Sequence, residues 1–160
     1  MELQVVSAVL LVPMNEAEYV IWRAKSETNY RDEIVKNGAT LTEAQKKADE
    51  DFARLLPEGL KSKDQYIFSI KDHNDWVGTL WLGVKGAPDN RKGYIYDIVL
   101  NEETRGKGIG KKAMILLEDE VRKLGLRHIG LHVFGHNKVA RALYESLGYE
   151  ITNLNMEKTL

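Results

Sequence analysis

Immediately after Leu100 the chain reads NEETRGKGIGKKA. Glycines at 106, 108 and 110 let a backbone turn its N–H groups inward, and a helix starting there adds partial positive charge, so this loop suits a phosphate or pyrophosphate. Arg105, Lys107, Lys111 and Lys112 place cations along it with no acid among them. A nucleotide P-loop is excluded, because Arg105 stands at its first glycine position and Lys112 replaces its hydroxyl residue. A dinucleotide reading through Gly108, Gly110 and Ala113 stays open. It is weakened by the absence of an acid about 20 residues on, in HIGLHVF, to hold a ribose.

The other residues with chemical capacity are scattered. Asp97 interrupts the apolar stretch YIYDIVL, where a carboxylate is costly to desolvate unless paired or functional. His128 and His132 share a strand face without a third ligand, which argues against a metal site. His136 falls in a loop. Ser7, Ser26, Ser62, Ser69 and Ser146 lie in no nucleophile-elbow pattern, and the absence of cysteine excludes thiol chemistry and disulfides.

Regular elements must position these groups. Leu3 to Val12 reads as a strand ended by Pro13. Asn15 caps a helix to about Lys36, and Thr40 with Glu43 forms a capping box for a second helix to about Leu56. Gln65–Lys71 and Trp76–Val84 read as a hairpin through DHND, and Tyr94–Leu100 as the most strand-like run. A helix follows the glycine loop from Gly108 to Leu124. After it come a strand from His128 to Phe134, a helix from Asn137 to Leu147, and a last strand from Tyr149.

With 160 residues and 43% hydrophobic content, the chain suits one domain, residues 1–160, able to bury a core unaided. The run VVSAVLLV is too short to span a membrane and lacks the flanks of a signal peptide, so the expected location is the cytoplasm. A net charge of −1 conceals a gradient from −4 over residues 1–60 to +4 over residues 105–160. That small basic excess, without interleaved aromatics, disfavours nucleic acid.

The order R-x-x-G-x-G after a strand, at Arg105, Gly108 and Gly110, then N-x-x-A-x-x-L-Y-x-x-x-G-Y from Asn137 to Tyr149, resembles the GNAT superfamily of acetyl-CoA-dependent N-acetyltransferases. The resemblance covers about residues 76–158. It implies an α/β fold of the α+β type: a mixed, mostly antiparallel sheet of six or seven strands with about four helices, splayed at the glycine loop. It also implies acetyl-CoA as co-substrate and a small-molecule or peptide amine as acceptor, with no nucleic acid and no membrane, in a family where homodimers are common. Ile98, Val99 and Leu100 would meet the pantetheine through their backbone. The amides of Gly106, Lys107, Gly108, Ile109, Gly110 and Lys111, with Arg105, would hold the pyrophosphate, and Asn137 the cofactor arm.

Tyr144 matches the family's general acid toward the departing thiolate, a role suited to a phenol that stays protonated at neutral pH. An attacking alkylamine must first lose a proton, which makes Asp97 a base or amine ligand, with a purely structural carboxylate as the alternative. Family members often carry Glu where this chain has Tyr96. Trp22, Tyr30, Trp81 and Tyr96, within or facing the acidic N-terminal third, suggest a site for a cationic acceptor. A catalytically silent acyl-CoA-binding module is the alternative to an enzyme.

Overall fold

A computed structural model describes residues 8–160. β1 (Val9–Pro13) is followed by α1 (Glu16–Lys36) and α2 (Leu41–Leu55). Then come β2 (Gln65–Asp72), β3 (Asp75–Lys85), β4 (Lys92–Leu100), α3 (Ile109–Lys123), β5 (Ile129–Leu131) and α4 (Lys138–Ser146). The reading of residues 3–7 as the start of β1 falls outside the described residues.

Local sequence explains the helix starts. Asn15 and Thr40 each accept a hydrogen bond from the backbone of the third helical residue, Glu18 and Glu43, whose side chains reach back to the cap amide. Both helices therefore begin with the cap amide and the third helical amide satisfied.

The strands lie in the order β1-β2-β3-β4-β5. All neighbours pair antiparallel except β4 and β5, which are parallel. Helices cover both faces. On one, Ile70, Leu80, Leu82 and Ile95 pack against Ala113, Met114, Leu117 and Val121 of α3. On the other, Trp22 of α1 and Phe52 of α2 close over Ile67 and Trp81.

The structure corrects the expected strand count: the described sheet has five strands rather than six or seven. The segment from Tyr149 onward, expected as a final strand, has no ladder partner among the described residues, and Ile151 and Leu154 stay exposed. The strand expected over His128–Phe134 pairs only over Ile129–Leu131. Alternation marks a chain that can form a strand, but a strand exists only where a neighbour supplies its hydrogen bonds.

The pairing between β3 and β4 shifts register between Trp81 and Leu82: Trp81 faces Asp97, whereas Leu82 faces Ile95. Tyr96 is thus an extra residue, a β-bulge, and it resets the alternation of side chains. Ile95 and Ile98 join the α3 side, while Tyr96 and Asp97, though consecutive, both face α1 and α2. The pairing of β4 with β5 also stops here, at Ile95 opposite Leu131. Beyond it the two strands part.

Candidate functional site

The parted strands leave the β5-facing edge of residues 96–100 without a ladder partner among the described residues. Backbone donors and acceptors of Ile98, Val99 and Leu100 lie along that strand end. The NEET segment that follows is tied down: the Asn101 amide donates to the Val77 carbonyl at 2.8 Å, Asn101 Nδ2 to the Trp76 carbonyl at 3.0 Å, and Thr104 Oγ1 to the Asn101 carbonyl at 2.7 Å. Arg105 Nε donates to the Leu100 carbonyl at 3.2 Å, so part of its guanidinium fastens the loop to the strand end.

Gly106 and Gly108 both take φ of +78°, a left-handed conformation that L side chains rarely adopt. Gly108 is the N-cap of α3 and has no side chain with which to close the helix. The first amide hydrogen bond in this stretch runs from Lys112 to Gly108, and the amides from Gly106 to Lys111 donate to no protein group among the described residues. The contrast with the capping boxes of α1 and α2 is chemical. A helix start with open donors and aligned peptide dipoles binds an anion rather than a side chain of its own.

Asp97 lies at the other end of the diverging strand. Ser26 Oγ of α1 donates to Asp97 Oδ2 at 3.0 Å. Burial pushes the Asp97 carboxyl up to about 6, although the Ser26 hydroxyl and the Ile98 amide both favour the charged form. Asp97 opens onto a cavity of about 250 Å³ between α1 and the β3–β4 surface, walled by Trp22, Trp76 and Val99.

Tyr144 of α4 packs partly buried against the α3-side core, with its ring 5.9 Å from that of Tyr149. Burial, followed by the negative charge of Asp97, pushes its phenol up to about 12. Tyr144 is therefore a packing residue whose phenol stays protonated within electrostatic reach of Asp97. Asn137 caps α4, accepting from the Ala140 amide at 3.3 Å.

Of the four aromatics expected at a cationic-acceptor site, Trp22 alone lines the cavity at Asp97. Trp22 and Trp81, 4% and 3% exposed, are core. They meet edge to face at 5.5 Å, and Tyr30 donates its hydroxyl to Asp51. Tyr96 packs tilted against Trp81, and the ammonium of Lys85 stands 4.9 Å from its ring centre and 3.6 Å from that of Tyr94. Large aromatic rings at helix and strand spacing served the interior first.

Sequence reasoning missed Ser26. Its signal was present: it follows Trp22 by one helical turn on the stripe that α1 buries, where a polar residue requires a partner. It also missed the bond of 2.8 Å between His136 Nε2 and Glu33 Oε2, which ties the loop before α4 to the end of α1. No cluster of metal-ligating side chains occurs among the described residues, and no helix there is long and apolar enough to cross a membrane.

This architecture, a mixed sheet opened beside a bulge with an uncapped glycine loop at its mouth, matches known proteins. The model of the acetyltransferase (GNAT) family matches residues 28–149, and the chain belongs to that family. It is 37% identical to the uncharacterized N-acetyltransferase YycN of Bacillus subtilis, over 95% of this chain and 99% of YycN. It is 34% identical to YdgE of the same organism, also an uncharacterized N-acetyltransferase, over 96% of this chain and 99% of YdgE. A crystal structure of YycN superposes with a TM-score of 0.87, covering 95% of this chain and 98% of that one. The aminoglycoside N-acetyltransferase AAC(6')-Iy in complex with CoA, 13% identical, shares the fold with a TM-score of 0.64 over 99% of each chain.

Proposed function

We propose that this protein transfers an acetyl group from acetyl-CoA to a primary amine by direct attack within a ternary complex. The observation that carries the reading is the run of open amides from Gly106 to Lys111 at the mouth of the gap between β4 and β5. Membership of an acetyltransferase family and a CoA complex of the same fold support it.

In this reading the loop amides and Arg105 hold the pyrophosphate, and the unpaired edge of Ile98, Val99 and Leu100 holds the pantetheine in extended form. The thioester then lies near the bulge. Asp97, with a carboxyl pushed up to about 6, is ionised at neutral pH yet more basic than an ordinary carboxylate, and takes a proton from the attacking ammonium. Asp97 releases that proton to solvent, the nitrogen–carbon bond forms, the carbon–sulfur bond breaks, and the nitrogen gives up its second proton to solvent as the neutral amide appears. Tyr144 donates its proton to the leaving thiolate and regains one from solvent; burial keeps that phenol protonated at any working pH. Asn137 supports the cofactor arm while capping α4.

Thermal unfolding with saturating acetyl-CoA, with NAD and with neither tests the cofactor. A ligand at 100 times its dissociation constant adds about 2.7 kcal/mol, roughly 5–10 °C for a domain of this size. The expected shift occurs with acetyl-CoA alone, followed by thiol release when an amine is added. No shift with acetyl-CoA, or a shift with NAD instead, overturns the proposal.

A further inference from the structure

The cavity above Asp97 carries charge of both signs. Along α1, Trp22 and Ser26 form the buried edge, while Ile21, Lys25 and Asn29 form an exposed edge one residue round the helix; all of these line the cavity. The floor is therefore the Ser26–Asp97 pair, and the rim carries the Lys25 ammonium and the Asn29 amide. Lys25 forms no ion pair among the described residues, neither with Asp97 nor with any acid of its own helix. Arg23, by contrast, is engaged by Glu27, and Lys36 by Glu33.

A cation and an anion that share one small cavity without closing on each other match a ligand bearing both charges. The size limits it further. Pockets for drug-sized ligands run to roughly 300–1,000 Å³, whereas this one holds about 250 Å³. Ile21, Trp22, Trp76 and Val99 give the cavity apolar and aromatic walls, with Thr79 and Asn101 as its other polar side chains.

We infer that the acceptor is a free α-amino acid with an apolar side chain, its ammonium directed to Asp97 and its carboxylate to Lys25 and Asn29. This rests on the transfer reading above and narrows it to one class of amine. Aminoglycosides exceed the size of the cavity, polyamines meet a positive rim where they carry a second cation, and a lysine within a polypeptide lacks the carboxylate that Lys25 would meet. The product is an N-acetyl amino acid, whose amide nitrogen is uncharged and no longer attracted to Asp97, which favours release.

The test is calorimetric titration of the protein, with and without CoA, using L-phenylalanine and L-leucine against their amides and their decarboxylated amines, phenethylamine and isoamylamine. A charge-assisted carboxylate contact makes the free acids bind about tenfold more tightly. Lys25→Ala abolishes that preference and Lys25→Arg retains it; both changes sit on an exposed helix face, so folding is preserved. Equal binding of acid, amide and amine, no binding of either amino acid, or a preference that survives Lys25→Ala overturns the inference. Thiol release measured in parallel separates the two claims. Amino acids that bind with the preference but yield no thiol defeat the transfer reading alone. Amines acetylated as readily without a carboxylate defeat this inference alone.

Discussion

Ser26 and Asp97, 71 residues apart in sequence, are joined by a hydrogen bond of 3.0 Å that fastens α1 to the strand beside the bulge. The hydroxyl donates, so it stabilises the charged carboxylate against the burial that opposes it. Removing the donor in Ser26→Ala leaves burial less opposed, and Asp97 then titrates above about 6. The acid limb of kcat/KM against pH is expected to move upward in that variant, with activity near pH 8 largely kept. A limb that stays in place separates Asp97 from the proton transfer.

The same carboxyl makes stability depend on pH. Its folded-state value, about 6, lies above the ordinary value of 3.8, so between the two the folded protein holds a proton that the unfolded chain has lost. Stability from this group therefore falls as pH rises through that window and stays lower above it. Asp97→Asn is expected to be more stable than the native chain at pH 8, by up to about 3 kcal/mol, and to lose its advantage near pH 3.5. Melting curves across that range decide it.

Tyr144→Phe keeps the ring that packs on the α3-side core and removes only the hydroxyl. Turnover is expected to fall about 100-fold or more, the usual range for loss of a general acid, with CoA affinity unchanged by titration. Because the phenol is pushed up to about 12, any fall in rate below pH 10 has another origin. Equal turnover in the two proteins removes Tyr144 from the general-acid role.

At Gly108 a Cβ atom would meet nothing within 4 Å, so the position demands glycine for its φ of +78° alone. Gly108→Ala is expected to cost about 1–2 kcal/mol in unfolding free energy and to weaken CoA, while Gly108→Asn, better suited to the left-handed region, costs less. An alanine variant as stable as the native chain would show that the loop adopts another conformation in solution.

Glu33 is pushed up by burial, yet the hydrogen bonds from His136 and Lys36 outweigh this and hold it below the usual carboxylate value. The tether between the α4 loop and α1 is thus intact at neutral pH and is lost as acid protonates Glu33. His136→Ala is expected to cost under about 1 kcal/mol, since both partners are partly solvated. Faster amide exchange is expected over residues 132–137. Unchanged exchange there would show that the loop's order does not rest on this tether.

The glycine loop, its helix and the caps of α1 and α2 were legible because each is written within a few consecutive residues. Positive φ at Gly108, cap and capping box at Asn15 and Thr40, and the apolar stripe of α3 are local matters. The bulge was not legible. YIYDIVL has no alternation that distinguishes an extra residue at Tyr96, and its register is set by the partner β3. Ser26 and Asp97 each looked anomalous alone, one polar on an apolar stripe and one charged in a strand. Only the fold makes each the other's explanation. The aromatics misled for the opposite reason: Trp22 and Trp81 have the chemistry to bind a cation, but their area is worth more in the core.

The extra residue in β4 also separates two tasks that one continuous strand could not perform. Without Tyr96, Ile95 and Asp97 would be neighbours with ordinary alternation, every side chain from Asp97 onward would keep its face, and the ladder to β3 would close without a gap. What would vanish is the change of twist at the point where β5 departs. The first half of β4 is structural, committed on both edges; the second half is committed on one edge and, among the described residues, free on the other. A single inserted amino acid thus turns half of an interior strand into an edge, and gives the protein an opening without unfolding any part of its core.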